Sequence, residues 1–325
     1  MKILIIRFSS IGDIVLTTPV VRCLKLQTGA EIHYLTKRSF EKILTSNPHI
    51  DRVFAIEKDV SEVMTDLKSM QYDYVIDLHK NLRTMQVKWA LGVKNLSFEK
   101  LNFEKWLMVC FKINRLPNTH IVDRYLKTVA SLGVKNDGLG LDYFIPKTDE
   151  ISVADLGIKP QNTEGVIQYI AFVIGAAHKT KRLPVDKIIE ICNGIKLPII
   201  LLGGKDDMLN SELIVAKSTS NVYDFCGKLN LNQSASVVKQ AHKVITHDTG
   251  LMHIAAAFHK DIITIWGNTI PEFGMTAYTE NVENFEVKGL PCRPCSKIGH
   301  HECPKGHFKC MNGQNTEGVI LYANK

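Results

Sequence analysis

The feature that most restricts this fold is an alternation met twice along the chain. Strand-sized apolar runs fall at residues 2–7, 31–35, 52–56 and 74–77, and stretches of helical period separate them near 12–26, 39–46 and 60–70. A strand followed by a helix and then another strand returns parallel to the first, so the pattern predicts a parallel sheet with helices on its faces. An irregular stretch from 139 to 160, with Gly140, Pro146, Gly157 and Pro160, interrupts it. The alternation then resumes, with strands at 169–174, 198–202, 222–225, 243–246 and 261–266 and helices near 185–193, 208–218, 231–241 and after Gly250. A chain of 325 residues exceeds the usual size of one hydrophobic core. The expectation is therefore an α/β protein of two Rossmann-like, doubly wound domains, 1–160 and 161–325, facing a central cleft. Ligands of such sheets bind beyond the carboxyl ends of the strands, so the loops there are where chemistry is to be sought.

Composition narrows the class. Apolar residues make up 45% of the chain, yet no uninterrupted apolar run approaches the roughly 18 residues of a membrane-spanning helix. The first strand begins at once, without a basic stretch ahead of a long apolar one, which predicts no export signal and a cytoplasmic location. The net charge of +7 is concentrated: between Lys80 and Lys127 there are ten Lys or Arg against three acids. With Trp89, Trp106, Leu107, Met108 and Phe111 interleaved, that segment is either a solvated helical face or a surface for nucleic acid, an anionic membrane or a polyanionic substrate.

Four loops have the residue types of a site. Residues 7–20, RFSSIGDIVLTTPV, follow the first strand like a phosphate-binding turn, but hold a single Gly12 and an acid, Asp13, instead of a glycine-rich pattern. On the residues alone, Asp13 either caps the helix at 14–26 or serves the site. The loop 175–184 carries small residues, Lys179, Lys181 and Arg182, and ends on Pro184, a start for a helix. Gly203-Gly204 allow close backbone approach, and Asp206 and Asp207 follow as acceptors for ribose hydroxyls. In Thr246-His247-Asp248-Thr249-Gly250-Leu251-Met252-His253, an acid and a hydroxyl stand at the mouth of an apolar helix, either as its N-cap or beside its anion-attracting N–H groups.

The run 248–257, DTGLMHIAAA, followed by Ile265-Trp266-Gly267-Asn268-Thr269, resembles the donor-site signature of family 9 glycosyltransferases, the heptosyltransferases of lipopolysaccharide core assembly. Residues 7–20, the run 77–83 (DLHKNLR), the 181–184 loop, Gly203-Gly204 and Gly227-Lys228-Leu229 match the family in the right order, so the resemblance covers nearly the whole chain. It implies a GT-B fold with the acceptor on the first domain and an ADP-sugar, ADP-heptose, on the second. By position Lys181 is similar to the family's phosphate-binding lysine and Asp207 to its ribose-contacting acid. Gly204 and Leu229 fall within donor motifs, Thr249, Gly250 and Leu251 match the diphosphate cradle, and Asp248 and His253 lie beside the sugar. Departures are Ala176-Ala177 in place of hydroxyl residues, Leu183 in place of a tryptophan, and Asn268 in place of a proline.

Inverting transfer requires a base for the acceptor hydroxyl and neutralisation of the departing diphosphate. The resemblance assigns the base to Asp13, presented by a turn containing Ser10 and Gly12, and it requires no cofactor for catalysis. The implied acceptor is a lipid-anchored, anionic glycan at the inner membrane surface, with Ser10, Gly12, Lys80 and Arg83 as its contacts and peripheral membrane contact through the basic segment.

Four of the eight cysteines, Cys292, Cys295, Cys303 and Cys310, fall in C-x2-C-x7-C-x6-C with histidines nearby. Their spacing suits a structural zinc, reduced packing thiols or a disulfide, and Cys23, Cys110, Cys192 and Cys226 read as core thiols. Three further classes compete with the heptosyltransferase. A transferase for another nucleotide sugar differs only in donor. A dinucleotide oxidoreductase lacks support, because neither half has a G-x-G-x-x-G turn. A zinc-containing nucleic-acid-binding protein rests on the cysteines and the basic segment, and the expectation here is no nucleic-acid partner.

Overall fold

A computed structural model describes residues 1–158 and 167–325. The chain divides into two compact units, Met1–Leu101 with Thr119–Phe144, and Asn102–Asn118 with Ile145–Lys325. The boundary expected at 160/161 lies outside the described residues.

The first unit opens with β1 (Lys2–Ile6), whose Ile3, Leu4, Ile5 and Ile6 are fully buried, as a central strand covered on both faces must be. It continues through α1 (Ile11–Val15), α2 (Thr18–Thr28), β2 (Glu31–Lys37), β3 (Arg52–Ile56), α3 (Ser61–Ser69), β4 (Tyr74–Asp77), α4 (Leu82–Leu91) and β5 (Lys94–Ser97). Helix α5 (Asn102–Phe111) belongs to the second unit, and α6 (Ile121–Val129) returns to the first. The strands form a parallel sheet in the order β3-β2-β1-β4-β5. The single helix expected at 12–26 is two. Thr17 turns its hydroxyl onto the Ile14 carbonyl, and Pro19, lacking an N–H, stands in the first turn of α2. The stretch 39–46 forms a 3-10 helix, Arg38–Ile43, rather than an α-helix.

The second unit runs β6 (Ile170–Val173), α7 (Val185–Gly194), β7 (Ile199–Leu202), α8 (Met208–Lys217), β8 (Val222–Asp224), α9 (Leu231–Gln240), β9 (Lys243–His247), α10 (Gly250–Ala257), β10 (Asp261–Trp266), β11 (Val282–Glu286), α11 (Lys309–Asn312) and α12 (Thr316–Ala323). Its sheet is also parallel, in the order β11-β10-β9-β6-β7-β8. Its core gathers Ile170, Phe172, Ile191, Ile245 and Ile263 with Met311 and Val319 from the last helices.

Each sheet grows outward from its first strand and then reverses. The reversal lies between β1 and β4 in the first unit and between β6 and β9 in the second. At such a switch point the two neighbouring crossovers leave in opposite directions, and their loops open a crevice. The loops concerned are those after β1 and β4, carrying Asp13 and His79-Lys80, and those after β6 and β9, carrying Lys181 and Asp248-Gly250.

Candidate active site

In the first unit Asp13 stands inside the first turn of α1, with Ser10 as the N-cap. It is therefore not the cap of a helix starting at Ile14. Its Oδ2 accepts from the Ser10 amide at 3.1 Å and hydroxyl at 2.8 Å, and its Oδ1 pairs with Arg7 Nη2 at 2.6 Å. Burial alone would raise its pKa, but the Arg7 guanidinium and the Ser10 hydrogen bonds prevail and hold the carboxylate below its ordinary range. A carboxylate has about four lone-pair sites, and these three contacts occupy three of them among the described residues. Gly12 is buried in the same turn.

The loop after β4 is built by Asp77, the first residue of the 77–83 run. Asp77, fully buried, accepts from the amides of His79 at 3.0 Å and Lys80 at 2.7 Å and faces Lys88 Nζ at 3.0 Å. The turn holds Lys80 at φ 54°, a region that non-glycine residues enter rarely, and leaves its side chain exposed. Asn81 then caps α4 in a reciprocal box with Thr84, which puts half-exposed Arg83 in the helix's first turn. His79 packs edge-on against Phe8 at 5.4 Å, and among the described residues its buried Nδ1 has no hydrogen-bond partner. Burial, with Arg7 and Lys100 nearby, pushes its pKa down to about 4, so the ring is neutral at pH 7.

In the second unit Lys181 Nζ donates to Asp248 Oδ2 at 2.6 Å, and the Thr269 hydroxyl donates to the same oxygen at 2.9 Å. Three loops thus meet at Asp248, which is not the N-cap. Thr249 holds that position, but its side chain makes no capping hydrogen bond, and among the described residues the first amides of α10 have no side-chain acceptor. Asp248, Thr249, Gly250 and Leu251 are partly exposed, whereas His253 is buried one turn further in. Lys181 with the first turn of α10 can take a diphosphate.

Gly203 and Gly204 both lie against Asp207. Asp207 is 4% exposed, with Oδ2 accepting from the Gly204 amide at 2.9 Å and Oδ1 paired with Arg182 at 2.8 Å. A Cβ on Gly175 would lie 2.3 Å from Asp207 Oδ2, and one on Gly203 would lie 2.9 Å from it. These glycines make room for the carboxylate of Asp207, which joins the loops after β6 and β7. Gly204 is exposed and Leu229 half-exposed on the neighbouring loops.

Several residues that brace this site carried no sequence signal of their own. Buried His247, pushed down to about 4 mainly by burial, accepts the Leu183 amide at Nε2. Arg293 donates to the carbonyls of Gly267 at 2.7 Å and Thr269 at 2.8 Å and pairs with Glu286. Thr180 exchanges hydrogen bonds with the His300 backbone. The cysteine-rich segment therefore holds the loops after β6 and β10 in place. Between Gly267 and Thr269, the buried Asn268 amide has neither end hydrogen bonded among the described residues.

All eight cysteines are free thiols. Cys292, Cys295 and Cys303 are half-buried and Cys310 is buried, with Cys292 Sγ 3.8 Å from His307 Nε2. Among the described residues no three His, Cys, Asp or Glu side chains are grouped to hold a metal ion. As arranged, the thiols do not fit a zinc, and no step of the chemistry passes through one. Cys23, Cys192 and Cys226 are buried, but Cys110 is exposed, because α5 presents no face to a core.

Two parallel Rossmann-like units, each with polar groups at its switch point, make up the GT-B fold of nucleotide-sugar transferases. The sequence profile of glycosyltransferase family 9 (heptosyltransferase) matches residues 60–305, and the chain belongs to that family; it is a glycosyltransferase. It is 28% identical over 298 residues to lipopolysaccharide heptosyltransferase 1 of Campylobacter coli, covering 83% of this chain and 84% of that one. It is 26% identical to lipooligosaccharide heptosyltransferase 2 of Haemophilus influenzae, covering 84% and 85%. The fold is shared with E. coli ADP-heptose LPS heptosyltransferase II, at a TM-score of 0.71, 17% identity and 99% of both chains. It is also shared with E. coli heptosyltransferase WaaC with ADP, at 0.67, 20% identity, and 99% and 98%.

Proposed function

We propose that this glycosyltransferase moves heptose from ADP-heptose to a hydroxyl of a lipid-anchored, anionic lipopolysaccharide core, with inversion at the anomeric carbon. The observation that carries the reading is the convergence of Lys181, Asp248 and Thr269 beside the uncapped N-terminus of α10, a site for a diphosphate. The heptose and the acceptor come from the family and its relatives. In the step proposed, the acceptor oxygen bonds to the anomeric carbon, its proton passes to Asp13, and the bond from that carbon to the phosphate oxygen breaks. ADP leaves with the electron pair, its charge met by Lys181 and the α10 amides. Lys80 and Arg83 supply cations for the acceptor's phosphate and carboxylate groups.

The test supplies ADP-heptose, UDP-glucose or GDP-mannose with lipopolysaccharide lacking heptose, and measures nucleotide release and acceptor mass. A heptose-sized mass gain with ADP release is expected. Transfer from a UDP- or GDP-sugar, with none from ADP-heptose, would overturn the donor assignment.

A further inference from the structure

His79 shares a scaffold with the proposed base. Leu78, His79 and Lys80 follow β4, and Arg7 ties their turn to Asp13: its Nη1 donates to the Leu78 carbonyl, and its Nη2 pairs with Asp13 Oδ1 at 2.6 Å. The His79 amide donates to Asp77 at 3.0 Å, and the ring packs edge-on against Phe8, itself 1% exposed. Backbone and ring are therefore both fixed, at the switch point where β1 and β4 pair side by side.

The surroundings set the chemistry of the ring. It is half-buried, and among the described residues its buried Nδ1 has no hydrogen-bond partner. A buried N–H without an acceptor is rare and costly in folded proteins, so the proton of the neutral ring belongs on Nε2. Burial, with the cations Arg7 and Lys100, opposes a second proton. The ring is thus a neutral donor, with its N–H on the edge away from the buried nitrogen.

Two consecutive residues divide this turn between them. Lys80, at φ 54°, has an exposed side chain, and half-exposed Arg83 stands in the first turn of α4, so both offer charge to phosphate and carboxylate groups. His79 packs inward on Phe8 and has no charge for an anion, yet its ring lies within the field of the Asp13 carboxylate. A neutral N–H near the group that is to take a proton suits an uncharged sugar oxygen.

We propose that His79 is a specificity-determining acceptor contact: its Nε2–H donates to an uncharged oxygen of the acceptor sugar next to the attacking hydroxyl, and so holds that hydroxyl towards Asp13. His79 moves no proton itself. The inference rests on the transferase reading for the identity of the acceptor.

The experiment measures acceptor binding without donor, by calorimetry with the water-soluble, deacylated core of lipopolysaccharide lacking heptose, and measures transfer from ADP-heptose separately. His79→Phe keeps a flat ring against Phe8 and removes the donor, whereas His79→Gln returns an N–H. The wild type is expected to bind the core, His79→Phe about five- to tenfold more weakly, as for one lost neutral hydrogen bond, and His79→Gln within about twofold of wild type. The loss in His79→Phe should be the same at low and high ionic strength, while the loss in Lys80→Ala should shrink as salt is added. ADP affinity should match wild type in both His79 variants, and the melting temperature of His79→Phe should not fall, because the Nδ1 it removes is unpartnered among the described residues. In the transfer assay His79→Phe should raise the acceptor KM and leave the donor KM unchanged. No core binding by the wild type, equal binding by His79→Phe, or a loss in His79→Gln as large as in His79→Phe would each overturn the proposal. Absence of heptose transfer with the binding series intact would instead overturn the heptose-transfer reading alone.

Discussion

Arg7 Nη2 lies 2.6 Å from Asp13 Oδ1, while Nη1 of the same guanidinium donates to the Leu78 carbonyl at 2.5 Å and the Tyr125 hydroxyl at 2.9 Å. One arginine therefore binds the acid after β1 to the loop after β4. The group proposed to take the proton is also one end of a largely buried ion pair, so its substitution acts on both turnover and stability.

Asp13→Asn should lower kcat by about two to four powers of ten, the usual worth of a positioned base. ADP affinity should stay within about twofold of wild type by calorimetry, because Lys181 and α10 belong to the other unit. Loss of the charge opposite Arg7 should cost about 1–3 kcal/mol, less than for a fully buried pair because the Asp13 side chain is 20% exposed. Wild-type turnover in this variant removes Asp13 from the mechanism.

The acid limb of the pH profile follows from the same pair. Asp13 is held below its ordinary value, so it stays ionised well into the acid range. In kcat/KM against pH, the limb assigned to Asp13 should fall below about 3.9, the unperturbed aspartate value. The sign for stability agrees: a depressed folded pKa contributes stability above the unfolded pKa, and that contribution is lost as pH falls through the folded value. A limb near pH 4 that disappears in His79→Gln would shift the assignment to His79, whose ring is pushed down to about 4.

Lys181→Ala should weaken ADP binding about ten- to a hundredfold, the range for losing a charge-assisted hydrogen bond to phosphate. Titration calorimetry measures it. Lys181→Arg should recover part of the affinity, since the charge returns with a different shape.

Gly175→Ala tests the role of Asp207. The added methyl would meet Asp207 Oδ2 at 2.3 Å, so the carboxylate must move and strain its bonds to Gly204 and Arg182. A loss of about 1–3 kcal/mol is expected, read as a melting temperature lower by several degrees. In Asp207→Ala with Gly175→Ala the clash is gone, and the two losses should be less than additive.

Much of this protein was legible in order along the chain. Periods of two and 3.6 residues are local properties, so the parallel strands of both sheets at 52–56, 74–77 and 261–266 and the helices around 185–194 and 231–240 follow from neighbours in sequence. The motifs at residues 7–20 and 248–257 marked the loops that the topology then brings to the switch points. Less visible were α4, α5, β5 and β11, whose patterns are weakly apolar or have no buried face; α6 does bury Ile121, Val122, Tyr125, Leu126 and Val129 at helical spacing, a pattern readable in the sequence but masked there by the basic residues around it. The sequence shows that Asp207 follows two glycines, but not that Gly203 and the distant Gly175 make room for its carboxylate.

The sequence by itself determined the α/β class, the family and the loops that hold polar chemistry, because these depend on local periodicity and on contiguous motifs. The tertiary structure decided the pairings: Arg7 with Asp13, Lys181 with Asp248, Arg182 with Asp207 and Arg293 with the backbone around Asn268. It also turned α5's aromatic face outward. Such relations join residues far apart in the chain, and burial, which sets the strength of each pair, exists only once the sheets have formed.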